Sequence, residues 1–131
     1  MGPAGPTGPL PALSFVSATS AQTTASTTFV SIPDMSLTPG AGDYLVHLSV
    51  QVDGADTGAN DHAVVAIYLN GVLVTGTERR VFLPRDRFGA VSTQAHLTGL
   101  GPTDSVEGRW RAIVGSTLTI NDRNLSAIEV N

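Results

Sequence analysis

The oxygen-rich run at 53–61, Asp53-Gly-Ala-Asp56-Thr-Gly-Ala-Asn60-Asp61, is the segment of this chain best equipped to hold an ion. Carboxylates and an amide on a Gly-rich stretch suit a hard cation such as calcium, which takes oxygen ligands. Asp53, Asp56, Asn60 and Asp61 would be those ligands. The spacing departs from the EF-hand loop, because Ala55 and Thr57 stand where that loop places oxygens. The run is therefore read as an acidic, solvated loop, and neither metal nor other cofactor is expected. A second cluster places Arg79, Arg80, Arg85 and Arg87 close together, interleaved with Glu78 and Asp86. The planar guanidinium fork matches carboxylate and phosphate geometry. The cluster is read as surface or subunit-interface ion pairing, with binding of an anionic glycan or phosphate as the second reading.

Other chemistry finds little purchase. The three histidines, His47, His62 and His96, show neither the i,i+2 nor the i,i+4 spacing of a metal motif. One from each of three chains could still meet on a three-fold axis. There is no cysteine, which removes disulfides, thiolate metal sites and a thiol nucleophile. No Gly-x-Ser-x-Gly, phosphate loop or dinucleotide fingerprint is present. The chain is expected to be non-enzymatic. A net charge of -4 offers no basic field for nucleic acid. No apolar run approaches the roughly 20 residues of a membrane span, so membrane insertion is not expected. Met1 is followed at once by Gly-Pro, without the charged and apolar regions of a signal peptide.

The elements that must position these residues read as strands throughout. Residues 44–52 alternate strictly: Tyr44, Val46, Leu48, Val50 and Val52 share one face, with His47, Ser49 and Gln51 opposite. Residues 88–100 form a second long strand. Residues 63–69 are continuously apolar, which fits a strand buried on both faces, either between sheets or against a neighbouring subunit. Asn70-Gly71 after that run is a strong hairpin signal. Val106, Gly108, Trp110 and Ala112 alternate with Glu107, Arg109 and Arg111, which look like a cross-strand charge ladder. Residues 28–32 are expected to end at Pro33-Asp34, and 117–121 and 124–130 to be separate strands. Eight to ten short strands with Gly/Pro turns and no helical period point to an all-β jelly roll or sandwich. Only 14% of the 131 residues are charged, and every basic residue is arginine. Threonine, serine, glycine, alanine and valine make up for the charge missing against the usual ~25%.

The body is preceded by three Gly-X-Y triplets, beginning at Gly2, Gly5 and Gly8. Glycine at every third position is the collagen rule, because only glycine fits the axis where three chains wind together. The division expected is a collagen-like stub at 1–11 and a head domain at 12–131. With Gly42-Asp-Tyr44, Ala66-Ile-Tyr-Leu-Asn-Gly71, Leu100-Gly-Pro-Thr-Asp-Ser-Val106, Thr117-Leu-Thr-Ile120 and Leu125-Ser-Ala-Ile128, the chain resembles collagen-stalk proteins with C1q/TNF-like trimeric jelly-roll heads. It is most similar to those of bacteriophage fibres, capsid decorations and bacterial surface proteins. Thr103 departs from that pattern, standing where the family has a glycine before the aspartate. The resemblance implies a homotrimer on a virion surface, or on a cell surface if the chain is cut from a longer one. Its partners would be other structural proteins of the particle and a host-surface glycan. The alternative is a lectin-like β-sandwich module. Such a module needs an exposed aromatic platform, and Trp110, the sole tryptophan, falls on an apolar face.

Overall fold

A computed structural model of the protein describes residues 12–54, 60–84 and 87–130. The triplets with Gly2, Gly5 and Gly8 lie outside the described residues, as do Asp56 and Arg85. The described residues hold no helix, and so none long and apolar enough to cross a membrane.

Ten strands follow one another among the described residues: β1 (Leu13–Ala18), β2 (Gln22–Thr24), β3 (Val30–Leu37), β4 (Gly42–Asp53), β5 (Asp61–Leu69), β6 (Val72–Leu73), β7 (Arg79–Leu83), β8 (Phe88–Leu100), β9 (Val106–Ala112) and β10 (Leu118–Glu129). They form two antiparallel sheets. Sheet A runs β1–β10–β4–β8, with β2 continuing the edge beside β10. Sheet B runs β3–β9–β5–β6, with β7 also beside β5. After β2 the chain passes to the other sheet at every connection except those within β5–β7. That alternation makes the sandwich a jelly roll.

The alternating side chains meet in the space between the sheets. Tyr44, Val46, Leu48, Val50 and Val52 of β4 are all buried, as are Val91, Ala95 and Leu97 of β8. Opposite them lie Ala63, Val65 and Ile67 of β5, and Val106, Trp110 and Ala112 of β9. A buried side chain of this size contributes roughly 1.5–3 kcal/mol. The Tyr44 hydroxyl donates to the Pro39 carbonyl at 2.9 Å, so its polar end is satisfied. Gly108 lets the two sheets approach closely: a Cβ there would stand 2.8 Å from a methyl of Leu48. The Asn70-Gly71 turn follows the expected chemistry, with φ of 50° and 78° at its two positions.

Two expectations are corrected. Strand β3 does not end at Pro33-Asp34 but runs through it. It is an edge strand bonded only to β9, and its pairing is interrupted between Ser31 and Ser36, where a proline without an N–H is tolerated. Asp34 takes a φ of 68° within that interruption. Likewise 117–121 and 124–130 form the single strand β10, bent by a bulge between Ile120 and Arg123.

Both irregularities serve one buried group. Arg123 is only 2% exposed. Its Nε donates to the Pro33 carbonyl at 3.0 Å, and its Nη1 to the carbonyls of Ser20 and Asn121 at 2.7 and 2.8 Å. Its Nη2 lies 3.5 Å from a carboxylate oxygen of Asp34. One guanidinium thus ties the β1–β2 segment, the bulge of β3 and the bulge of β10 together.

Candidate assembly face

The acidic run resolves into residues with different work. Asp53 ends β4 on the outer face of sheet A, opposite Phe88. Asn60 is exposed just before β5. Asp61 is 1% exposed and points away from any solvated loop. Its Oδ1 accepts from the backbone N–H groups of His62, Ile113 and Val114 at 2.6, 3.1 and 3.0 Å, and its Oδ2 from that of Ser116 at 3.1 Å. Burial pushes the Asp61 carboxyl up. The amides of Val114, His62, Ile113 and Ser116 outweigh it and hold the group below the usual carboxylate range. Asp61 anchors the turn after β9 to the start of β5. Among the described residues no group of three or more His, Cys, Asp or Glu is arranged to hold a metal.

The arginine cluster is split by the fold. Arg79 donates from Nη1 to the carbonyls of Gly76 and Glu78 at 2.9 and 2.7 Å, holding the turn before β7. It also lines a shallow cleft of about 330 Å³ with His47, Ser92, Thr93 and Gln94. Arg80 faces outward from sheet B, opposite Val64. Arg87 is exposed near the start of β8, where its carbonyl accepts from the Gly54 N–H at 2.8 Å.

The expected charge ladder on β9 is corrected in its direction. Arg109 donates from Nε to Glu107 on its own strand at 2.6 Å, and Glu107 also accepts from the Ser31 hydroxyl at 2.9 Å. The Arg109 guanidinium lies 4.3 Å from the centre of the Tyr68 ring. Arg111 lies 5.2 Å from the centre of the Phe29 ring, and the two rings meet edge to face at 5.6 Å. These groups account for the apolar strand at 63–69. It is central in sheet B, and its outward Val64 and Ala66, 2% and 0% exposed, are covered by side chains of the same chain.

Among the described residues nothing comparable covers sheet A. Strand register gives its outer face in rows. The first holds Leu13, Ile128, Leu45 and His96; the second Phe15, Ser126, His47 and Gln94; the third Ser17, Asn124, Ser49 and Ser92. These twelve positions carry no Asp, Glu, Lys or Arg. Charge borders these rows: the exposed Asp43 stands beside the first on β4, Arg79 lines the cleft with His47, Ser92 and Gln94, and Asp53 and, at the bulge, the exposed Asp122 lie further along. Leu13, Phe15, Leu45 and Ile128 are 66%, 61%, 38% and 44% exposed and share one end of the face. Phe88, 69% exposed, stands at the opposite corner. A monomer seldom leaves contiguous apolar side chains beside rows of uncharged ones on a sheet face. The signal was present in the sequence, because the outward positions of both long strands avoid charge for most of their length.

Comparison with solved structures places the fold. Murine APRIL superposes with a TM-score of 0.57 at 11% identity, over 90% of this chain and 99% of that one. The CBM22-1 xylan-binding domain of Paenibacillus barcinonensis Xyn10C gives 0.53 at 9% identity, over 87% and 98%. The vertex protein P5 of the phage PRD1 gives 0.50 at 16% identity, over 89% and 96%. No family model matches the chain, and no curated protein is similar to it in sequence. What the chain shares with these structures is the all-β jelly-roll sandwich, the head architecture expected from the TNF-like resemblance.

Proposed function

We propose that this chain is a non-enzymatic structural and binding protein: a homotrimeric jelly-roll head acting as a fibre head or capsid decoration on a phage virion or similar particle. The outer face of sheet A carries this reading. Three uncharged rows with four exposed apolar side chains at one end provide a surface that three copies can bury around a common axis. Hydroxyl and amide side chains in the lower rows supply hydrogen bonds across the contact.

The N-terminal segment fits the same arrangement. Ala12 donates to a carboxylate oxygen of Glu129 at 3.2 Å, and the Glu129 N–H donates to the Ala12 carbonyl at 2.8 Å. The described chain therefore begins beside Leu13 and Ile128, at the apolar end of the face. Three chains gathered there would enter the stub side by side, which a short Gly-X-Y segment needs in order to wind. Other structural proteins of the particle, and a host-surface glycan, would be reached through the loops and through sheet B.

Absolute mass in solution, by light scattering after size exclusion, tests the reading on the full chain and on a chain starting at Ala12. Three times the 13.5 kDa chain mass is expected for both. A monomer in both would overturn the assembly and the stalk together. A trimer only with the triplets present would move assembly out of the head.

A further inference from the structure

The outer face of sheet B presents a second surface with its own chemistry. Arg80 of β7 and Arg111 of β9 are both cross-strand partners of Val64, so they flank it in one row. With β5 between them, their Cα atoms stand about 10 Å apart. In the neighbouring row the 50% exposed Phe82 faces His62, with ring centres 5.1 Å apart. The acids nearby are Glu107, taken by Arg109 and Ser31, and Glu78, two residues before Arg80 and just ahead of β7. Among the described residues no carboxylate forms an ion pair with Arg80 or Arg111. Like charges facing each other across a buried valine are a cost that a bound anion would relieve.

We infer that this face binds an acidic polysaccharide, with Arg80 and Arg111 taking carboxylate or sulfate groups and the Phe82 ring beside His62 stacking on a sugar face. A guanidinium accepts such groups in a paired, planar fashion. Stacking of Arg111 on Phe29 restricts its motion before any ligand arrives. The shallow, extended geometry of a sheet face suits a polymer rather than an enclosed small molecule. The inference goes beyond the assembly reading and does not depend on it, since a monomer carries the same face. Trp110, 1% exposed in the core, takes no part.

The test is titration calorimetry of the full chain with a heparin-derived hexasaccharide and with a galacturonate hexamer. A neutral dextran oligomer and a single-stranded DNA oligomer of matched length serve as comparisons. We expect saturable, salt-sensitive binding to at least one acidic sugar. Arg80→Gln and Arg111→Gln should each weaken it about tenfold, and Phe82→Ala about fivefold. Arg79→Gln, on the opposite side of β7, should leave it unchanged, and all variants should keep the circular dichroism of the parent. The inference fails if neither acidic sugar binds, or if Arg79→Gln weakens binding as much as Arg80→Gln. It also fails if the neutral oligomer binds equally well, or if the DNA binds more tightly than either sugar.

Discussion

The two sheets of this sandwich bury their inner faces in the same way and treat their outer faces in opposite ways. On sheet B the central strand is apolar on both sides. The chain covers it with its own arginines, laid over Tyr68 and Phe29 and paired with Glu107. On sheet A the first three outward rows are hydroxyls, amides, histidines and four exposed apolar side chains, and among the described residues only Arg79 reaches their edge, at the cleft with His47, Ser92 and Gln94. The low charge of the whole chain is thus unevenly spread. Arg109 and Arg111 cover one face, and the twelve positions of the first three rows of the other hold no arginine. A face whose apolar strand is covered internally needs no second copy of the chain to bury it. A face from which charge has been withheld is prepared for contact, because burying an unpaired charge is expensive and burying serine or leucine is not.

Breaking the uncharged face should have the largest effect. Leu45→Arg sets a cation in the middle of the first row and should reduce the proposed trimer to monomer, read as a threefold fall in scattering mass with unchanged circular dichroism. The same measurement on Arg109→Ala should show no change of mass, which is the sharper half of the comparison.

The next effect concerns the bulge that ends the regular part of sheet A. Arg123→Met keeps the volume but strands three carbonyls, and should cost about 3 kcal/mol in urea unfolding. Asp61→Asn, at the start of the central strand of sheet B, turns an amide N–H toward donors that need an acceptor and should cost about 2 kcal/mol. Because the Asp61 carboxyl is held below its ordinary value of 3.8 in the fold, its contribution is fully present above that value. It is lost as pH falls through the lowered folded value. Urea midpoints between pH 6 and pH 2 should fall for the parent in that acid window, and the pH-dependent part of the difference from Asp61→Asn should vanish there. The smallest change is the stability of Arg109→Ala, expected to drop by about 1 kcal/mol through lost stacking and lost cover over Ala66.

The parts of the molecule written in local pattern could be read directly. Strict alternation over 44–52 and 88–100 gives the two long strands of sheet A, because each has one face in the core and one outside it. The Asn70-Gly71 turn and the alternation around Trp110 are equally local. The unread parts depend on partners distant in the chain. Pro33 can sit within β3 only because that strand is an edge with an interrupted ladder, and neither condition is visible at residue 33. Arg123 looks like any surface arginine until carbonyls from positions 20, 33 and 121 converge on it. Arg80 lies in sequence beside Arg79, Arg85 and Arg87. It lies in space opposite Arg111, because β5 separates β7 from β9. Asp61 belongs in sequence to an oxygen-rich loop, yet its oxygens serve amides more than fifty residues away.

The place of β10 in sheet A governs the order in which the molecule can come into being. This strand sits between β1 and β4, so the first and the last strands described are hydrogen-bonded neighbours. During synthesis β4 and β8 can pair early, while β1 has no partner until the ribosome has passed residue 129. Closure of such sequence-distant strands is slow and leaves edges open in the meantime. The apolar end of the outer face needs Leu13, Leu45 and Ile128 side by side, so it does not exist before β10 is in place. A nascent chain therefore lacks the surface that the proposed trimer would use, and such association would be confined to chains that have finished folding.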